Sequence, residues 1–258
     1  MSTPTKDGIT IVLSGAETAT AFEAWSAFLP SLGREWEVLT FDESLTPLGT
    51  GEAWRKAMDF GKYPLLLLTD SNYPYTPADL TKFLERIDTA GEMPDPATGE
   101  FVQRKPDLIA GCRTGVKVPL PLRILGGLYR GFCKIALGLP LPALPGWYGF
   151  REHARAWRLW MVYGVPLNDP HAGFKLVRRS FLERFPIQCD GDLAHVEIIA
   201  KATFLTAMMD ELPLTPKPDA VRRVEYSKKE RRALWNRPRF WHRREPSAVS
   251  GRPSVRIS

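Results

Sequence analysis

The sequence contains few cysteines and histidines, and they are not arranged as metal ligands. The three cysteines, Cys112, Cys133 and Cys189, are widely spaced and include no Cys-x-x-Cys pair. This pattern argues against a disulfide framework and a zinc ribbon and is typical of a reducing compartment. The four histidines likewise show no zinc-site spacing. Phosphate-loop, dinucleotide-binding and nucleophile-elbow motifs are missing too, which disfavours the enzyme classes that depend on them.

Long hydrophobic runs are also missing. The longest uncharged apolar segment, residues 135–150, has 16 residues and is interrupted by Pro140, Pro142 and Pro145. It is too short and too broken for a simple membrane-spanning helix. The polar N-terminus lacks the order of a signal peptide, so the sequence predicts a cytoplasmic protein that is soluble or peripheral to the membrane.

Charge is unevenly distributed along the chain. The whole chain has a formal net charge of +6, yet the segment from Lys217 onward holds 13 Lys and Arg against 4 Asp and Glu. We therefore divide the chain into a domain at residues 1–216 and a basic C-terminal segment at 217–258, with disorder expected toward its end. A basic segment attracts anionic surfaces of lipid, nucleic acid or nucleotide, and it also serves as a plain solubilising arm.

Short hydrophobic runs alternate with amphipathic stretches through the first half of the chain. The predicted strands lie at 9–13, 36–41, 65–68 and 108–110, with further strands expected at 173–177 and 212–214. The Gly- and Pro-rich residues 91–105 are expected to be a surface loop, and no regular element is expected after Pro218. This order predicts an α/β fold with a mainly parallel sheet flanked by helices.

An amphipathic helix is expected at residues 150–161. Phe150, Ala154, Trp157 and Met161 fall on one helical stripe, with arginines beside it. Basic and aromatic helices of this kind lie at membrane surfaces, although an ordinary half-buried helix has the same pattern. Together with the preceding Pro-broken run, it predicts an inserted interfacial segment near 135–165.

Polar residues follow the predicted strands. Ser14, Asp42, Glu43 and Asp70 all come at or just after strand ends, and the carboxyl ends of parallel strands meet at one edge, where ligands bind. Asp70 and Asn72 offer two oxygen ligands of the kind that Mg²⁺ or Mn²⁺ prefers. Alone, this segment is more typical of a strand-to-helix turn than of a metal site.

Several motifs occur in a specific order in the second half. They are Asp-Pro-His-Ala-Gly-Phe-Lys-Leu-Val-Arg-Arg at 169–179, Asp-Gly-Asp at 190–192, His-Val-Glu-Ile-Ile-Ala-Lys-Ala at 195–202 and Asp-Glu-Leu-Pro-Leu at 210–214. In this order they resemble the family 2 glycosyltransferases with the GT-A nucleotide-diphospho-sugar transferase fold, and within them the dolichol-phosphate mannosyltransferase-like group. The resemblance covers roughly residues 9–228.

The resemblance implies an inverting transfer of a sugar from a nucleotide diphosphate to a polyprenyl phosphate or other lipid acceptor at an anionic membrane surface, without a nucleic-acid partner. It implies Arg113 and Arg123 as acceptor-binding residues that contact the phosphate of the lipid, with the donor phosphate as the alternative partner. A hydroxyl acceptor would need a base, for which Asp169 or Asp192 is the candidate. The metal, Mg²⁺ or Mn²⁺, would be held by Asp70 and Asn72. The implied donor-binding residues are Glu17, Asp42, Glu43, Asp70, Arg223 and Lys228.

Two departures from the family pattern leave alternatives open. The first strand is followed by Leu13-Ser14-Gly15-Ala16-Glu17 where the family has Pro-x-Tyr-Asn-Glu, and the second metal carboxylate is replaced by Asn72. A neutral amide weakens divalent-cation binding. A catalytically degenerate protein that binds sugar nucleotide or membrane as a regulatory module is therefore an alternative. A nucleic-acid-binding protein is a weaker one, which rests on the aromatic residues interleaved with arginines near residue 240.

Overall fold

The computed structural model describes most of the sheet and its helices. The described residues are 8–15, 18–42, 49–70, 75–94, 98–113, 121, 124, 128, 135, 159, 162–165, 167, 169–214 and 227–240. For a few of them, including Asp42 and Asp70, only the backbone is described.

The centre of the fold is a six-stranded sheet. Its strand order is β2-β1-β3-β7-β6-β8. β1 lies parallel to β2 and β3, and β6 lies parallel to β8, whereas β7 is antiparallel to β3 and β6. The predicted α/β class with a mainly parallel sheet is confirmed. The six strands are β1 (Ile9–Gly15), β2 (Trp36–Asp42), β3 (Leu65–Asp70), β6 (Leu108–Arg113), β7 (Phe174–Arg178) and β8 (Met209–Leu214).

Helices cover both faces of this sheet. Successive strand residues alternate between the faces, so Val12 packs in one hydrophobic core and Leu13 in the other. The first core holds α2 and α5, and the second holds α1 and α3. The described helices are α1 (Thr18–Phe28), a 3₁₀ turn (Leu29–Leu32), α2 (Thr50–Phe60), α3 (Asp79–Asp88), α4 (Arg179–Leu182), α5 (Ala194–Phe204) and α6 (Lys228–Asn236).

Two expectations about irregular segments were wrong. Residues 91–105, expected to be a loop, contain an antiparallel pair formed by β4 (Gly91–Pro94) and β5 (Phe101–Arg104). Every residue of β5 is exposed, so the strand lacks the buried apolar alternation on which strand prediction depends. Helix α6 was also missed, because Leu234 is its sole buried residue and hydrophobic periodicity is therefore absent.

Much of the predicted interfacial segment near 135–165 lies outside the described residues. The helix expected at 150–161 falls there apart from Leu159, which is helical and buried. Among the residues that the structure describes, no helix combines the length and the apolar character needed to cross a membrane. The expected disorder beyond Arg244 also concerns residues outside the described set.

Candidate functional site

The carboxyl ends of β1, β2 and β3 place two predicted donor-binding residues at one edge of the sheet. Asp42 pairs with Gly15 in the register of β2 and β1, and Asp70 pairs with Ser14 in the register of β3 and β1. The two aspartates therefore flank the end of the central strand at nearly the same height. Ser14 itself is buried beside them. This edge is where parallel α/β sheets bind their ligands.

Five other predicted site residues lie outside the described residues, in the segments that follow β1, β2, β3 and β6 or precede α6. They are Glu17, Glu43, Asn72, Arg123 and Arg223.

Arg113 reaches the same edge from the other half of the sheet. It is the last residue of β6, which runs in the same direction as β3. Its Nε and Nη2 donate hydrogen bonds of 2.6 and 2.7 Å to the two carboxylate oxygens of Asp169, and its backbone N–H donates to Oδ2 at 3.1 Å. The structure therefore brings together a predicted acceptor contact and a predicted base as a bidentate ion pair.

This ion pair is buried. The side chains of Arg113 and Asp169 are each 5% exposed. Burial by itself would raise the pKa of the Asp169 carboxyl, but the adjacent guanidinium, the hydrogen bonds from Arg113 and the charge of His171 together hold that pKa below its ordinary value. Asp169 is consequently ionised, and both of its oxygens accept hydrogen bonds from Arg113. Such a carboxylate is better suited to positioning a cation than to taking a proton.

A second buried group of polar side chains lies next to this pair. Lys175 of β7 is fully buried, and its Nζ donates to the backbone oxygen of Ala172 at 2.5 Å and lies 2.9 Å from Nδ1 of His195. The ring of His195 meets the indole of Trp54 edge to face, with centroids 4.6 Å apart. These contacts join the segment before β7 to helices α2 and α5.

Burial is the main influence on the Lys175 ammonium. It lowers the pKa of Lys175 from 10.5 to about 7, assisted by the charge of Arg113 and opposed by the carboxylates of Asp169 and Glu211. Glu211 also accepts a 2.8 Å hydrogen bond from the backbone N–H of Asp169. The charges at this edge are thus arranged so that each cation is close to an anion.

Asp192, the other predicted base, lies on a loop that packs against the start of α2. Its Oδ1 accepts a 2.9 Å hydrogen bond from Oγ1 of Thr50. The backbone N–H groups of Gly51 and Glu52 donate to the carbonyl of Asp190 at 2.8 and 3.2 Å. This loop therefore packs against the start of the helix that follows β2 along the chain.

Glycine is required where this loop meets α2. A Cβ added at Gly51 would come within 1.9 Å of the carbonyl oxygen of Cys189, and one at Gly49 within 2.2 Å of that of Asp190. Both contacts are far below van der Waals distance and involve backbone atoms, which cannot move independently. The two glycines therefore fix the position of the segment that carries Asp192.

The base of the loop is held by a buried ion pair. Glu197 accepts hydrogen bonds of 2.8 Å from the backbone N–H groups of Gln188 and Cys189 and one of 2.5 Å from Lys201. Burial, reinforced by the charge of Glu197, raises the pKa of the Cys189 thiol well above its ordinary value. Cys189 is thus a buried protonated thiol, unlike the activated thiolates of nucleophilic cysteines.

Helix α6 contacts the same loop from outside. Oε1 of Glu230 accepts 2.8 Å hydrogen bonds from the backbone N–H groups of Asp190 and Gly191. Lys228, a predicted donor contact, is the first residue of this helix and is exposed. The structure therefore places Lys228 two residues from a direct contact with the Asp192 loop.

No group of three His, Cys, Asp or Glu side chains that could hold a metal ion occurs within the described part of the chain. The side chains of Asp70 and Asn72 are outside that set. A carboxylate and an amide offer oxygen ligands alone, which suit Mg²⁺ or Mn²⁺ when substrate oxygens complete the coordination. The oxygen ligands that the sequence offers at and after the end of β3 therefore fit Mg²⁺ or Mn²⁺, the metal that the resemblance implies.

Sequence reasoning missed three residues of this edge. Lys175 and His195 lie within the motifs used for the resemblance but were given no role, and Glu230 lies in the helix that was not predicted. A lysine between the apolar residues Phe174 and Leu176 of a strand is the one local signal that could have identified such a contact, because a lysine is rarely fully buried without a partner.

Comparisons with known proteins were made by sequence and by structure. No protein-family model matches the chain, and no curated protein matches it. Solved structures of glucosyl-3-phosphoglycerate synthase from Mycobacterium tuberculosis do align with it. The complex of that enzyme with Mg²⁺ and uridine diphosphate has 15% sequence identity and a TM-score of 0.49, over 90% of this chain and 76% of the enzyme chain.

Two further structures of the same enzyme give similar values. The complex with Mn²⁺, uridine-diphosphate-glucose and phosphoglyceric acid aligns at 15% identity with a TM-score of 0.48, over 90% of this chain and 77% of that chain. Another structure aligns at 15% identity with a TM-score of 0.47, over 85% and 74%.

Proposed function

We propose that the protein is a glycosyltransferase with the GT-A fold that takes a sugar from a nucleotide diphosphate donor and transfers it with inversion. One observation carries the proposal. The register of β1, β2 and β3 puts Asp42 and Asp70 on either side of the same strand end. A nucleoside needs a carboxylate for its ribose or base, and a diphosphate needs a second one to hold its metal.

The donor would be bound by residues at this edge and in the segments that follow it. Asp42 and Glu43 would contact the nucleoside, Glu17 would lie beside them, and Arg223 and Lys228 would contact the diphosphate. Asp70 and Asn72 would hold Mg²⁺ or Mn²⁺, which neutralises the charge of the leaving diphosphate when bound. The exposed position of Lys228 at the start of α6 supports its access to a ligand.

The acceptor would be bound by Arg113 and Arg123, as the resemblance implies. Asp169 offsets much of the charge of Arg113 because both of its oxygens accept hydrogen bonds from that side chain. We therefore assign Asp169 the role of positioning Arg113. A phosphate acceptor is already anionic and needs no strong base. Its alignment and the neutralisation of charge are then the main tasks of the site.

For a hydroxyl acceptor, we assign the base to Asp192. Asp169 is a poor proton acceptor because its pKa is held low by Arg113 despite its burial. Asp192 is partly exposed and receives a neutral hydrogen bond from Thr50. Its partial exposure leaves Asp192 open to the approach of a substrate hydroxyl, whose proton a base accepts.

The finer proposal is a polyprenyl phosphate acceptor at the cytoplasmic face of a membrane, with the dolichol-phosphate mannosyltransferase-like group as the family. Apolar side chains at three described helical positions support it. Ile124, Leu128 and Ile135 are 57%, 68% and 89% exposed. Their spacing of four and seven residues repeats along one helical face. A helix with such a face is suited to a lipid surface.

The test begins with donor binding, which is independent of the acceptor. Sugar nucleotides are screened for thermal stabilisation with and without Mn²⁺, since a ligand that binds the native state alone raises its stability. The best donor is then used in transfer assays with polyprenyl phosphates and with soluble phosphate and hydroxyl acceptors. Stabilisation without any transfer selects the alternative, a degenerate protein that binds sugar nucleotide as a regulatory module.

Asp70→Ala tests the metal assignment. It should abolish transfer and the Mn²⁺-dependent part of donor stabilisation while the fold is retained. Asp59→Ala, an exposed aspartate at the end of α2, is the matched control and should change neither. Asn72→Asp should tighten Mn²⁺ binding by restoring a charged ligand. Unchanged Mn²⁺ dependence in Asp70→Ala would refute the assignment.

A further inference from the structure

Helix α6 and the residues after it present a strongly cationic outer surface. Residues 227–240 contain six Lys or Arg and one acidic residue, Glu230. All six cationic residues are exposed. Glu230 is directed inward, where its carboxylate accepts the N–H groups of Asp190 and Gly191. Its charge is therefore already engaged with backbone donors, and the outer face of the helix is dominated by positive charge.

An apolar groove lies beside these cations, between α5, α6 and residues 162–164. We name it the α5–α6 groove. It encloses about 330 Å³. Leu234 is buried at its base and fastens α6 to the core. The groove is lined mainly by large apolar and aromatic side chains, among them Tyr163, Phe204, Leu234, Trp235 and Phe240.

Large apolar side chains of the groove are also exposed at its rim. Phe204 is 70% exposed and Trp235 is 59% exposed. Arginines are adjacent in sequence to the residues that line the groove, because Arg231 lies one helical turn before Trp235 on α6 and Arg239 lies between Pro238 and Phe240. An exposed aromatic patch bordered by cations is typical of elements that lie at a membrane interface.

The arrangement of the rings favours a lipid over a nucleic acid. Phe204 and Phe240 lie against one another, with centroids 4.4 Å apart and planes 31° apart. Trp235 and Tyr163 are packed edge to face at 6.1 Å. Single-stranded nucleic acids bind by stacking bases on open aromatic faces. Here the rings pack on each other and leave an apolar groove, which suits hydrocarbon better than a base.

We propose that the α5–α6 groove and the arginines beside it form a docking surface for an anionic lipid bilayer. Phe204 and Trp235 enter the boundary between headgroups and acyl chains, and the arginines contact the lipid phosphates. The biological role of this docking surface rests on the proposed function, because the surface would hold the enzyme at the membrane where a lipid acceptor is found. The binding itself requires no turnover.

Co-sedimentation with vesicles tests the surface. The full chain is mixed with vesicles of phosphatidylcholine alone or of phosphatidylcholine with phosphatidylglycerol, at low and high salt. Wild-type protein should bind the mixed vesicles, and more weakly at high salt. Phe204→Ser and Trp235→Ser should each lower the partition coefficient about tenfold at both salt concentrations, because they remove apolar burial. The double variant Arg231→Gln with Arg232→Gln should lower the partition coefficient about fivefold for each cation removed, chiefly at low salt.

Matched variants elsewhere on the protein distinguish binding through this surface from nonspecific adsorption to vesicles. Phe101→Ser removes an aromatic side chain that is 73% exposed on β5, and Lys105→Gln removes an exposed cation. Both should bind like wild type. The proposal is overturned if Trp235→Ser binds vesicles as well as Phe101→Ser does. It is also overturned if wild type binds no mixed vesicles, or if Trp235→Ser instead dissociates a dimer or abolishes binding to a DNA duplex.

Donor stabilisation is measured on the same samples, so that two failures can be told apart. Phe204 lies on α5, which carries no residue assigned to the donor, so Phe204→Ser should retain wild-type stabilisation by the sugar nucleotide. Trp235 lies on α6 seven residues after Lys228, so Phe204→Ser is the variant that separates vesicle binding from donor binding. Donor binding with no vesicle binding refutes the docking surface alone. Vesicle binding that depends on Trp235, without donor binding or transfer, refutes the proposed function alone.

Discussion

The sheet edge around Arg113 and the outer surface of α6 use similar cations in opposite ways. At the edge, Arg113 and Lys175 are buried and lie within reach of carboxylates and carbonyls of the same chain. On α6, the cations are exposed and the nearest acid, Glu230, binds backbone N–H groups instead. Buried pairs are barely screened by salt, whereas exposed charges respond to their surroundings. The cations of the first region fix the arrangement of the sheet edge, whereas those of the second are available to an external partner.

Removing one buried cation should give the largest loss of stability. Arg113→Ala leaves the Asp169 carboxylate buried without its bidentate partner, which should cost about 3–5 kcal/mol of unfolding free energy. Urea denaturation measures this loss. The double variant Arg113→Met with Asp169→Leu should recover most of it, because the unpaired charge is removed as well. A loss below that of an ordinary surface variant would show that the pair is not buried as described.

Lys175 should give the buried region its pH dependence. Below pH 7 the Lys175 amine is protonated in both the folded and the unfolded state. Between about pH 7 and pH 10.5 the amine is more fully protonated in the unfolded state than in the folded state. Stability should therefore rise with pH in this range, and the cost of the depressed pKa should disappear above it. The rise from Lys175 should be on the order of 2 kcal/mol between pH 7 and 9. Lys175→Met should lack it.

Lys175→Met is the necessary reference because other ionisable groups lower the stability of the fold as the pH rises. The thiols of Cys112 and Cys189 have pKa values raised by burial, so their ionisation in the unfolded chain lowers stability as the pH rises. The difference between wild type and Lys175→Met, obtained by urea denaturation at each pH, cancels this contribution. Parallel curves for the two proteins would mean that Lys175 titrates normally.

Glu230 joins α6 to the loop that carries Asp192, and its removal should have an intermediate effect. Glu230→Ala deletes the acceptor for the N–H groups of Asp190 and Gly191, which should cost about 1–3 kcal/mol. The amides of these two residues should then exchange faster with solvent. Hydrogen exchange measures this directly, with Glu183→Ala as a control on an acid away from the loop. Unchanged protection would mean that α6 does not hold the loop.

Single cations of the outer surface should matter least to stability. Arg232→Gln should change the free energy of unfolding by less than about 0.5 kcal/mol, because an exposed side chain away from caps and cores contributes little. Thermal unfolding provides the measurement, beside Arg113→Ala as the contrasting variant. A loss comparable with that of Arg113→Ala would mean that Arg232 has a structural partner and would remove the contrast between the two regions.

The sequence predicted best those elements whose signal is local. The apolar runs of β1, β3 and β6 are buried on both faces, and such runs are readily recognised as strands of a parallel sheet. The direction of β7 could not be predicted, because Phe174–Arg178 has the same apolar character in either orientation. Helix α6 was missed because its polar surface carries no periodic apolar pattern.

The candidate site shows the same division. Residues at strand ends, such as Asp42 and Asp70, could be placed at one edge from the order of strands alone. The pairing of Arg113 with Asp169 joins residues 56 positions apart, and that of Lys175 with His195 joins two elements across the core. No local pattern encodes such contacts. They depend on the three-dimensional arrangement of the sheet, which pairs Asp169, a candidate base, with Arg113.

The position of β6 between β7 and β8 has a consequence for how the chain folds. β6 ends at Arg113, whereas its two neighbours begin at Phe174 and Met209. During synthesis, therefore, β6 leaves the ribosome long before either partner strand exists. Every residue of β6 is buried in the finished protein, so an apolar strand with two open edges must persist in the nascent chain. Such non-local pairing is slow and exposes the intermediate to aggregation, which makes the last third of the chain, where both partner strands lie, decisive for the yield of folded protein.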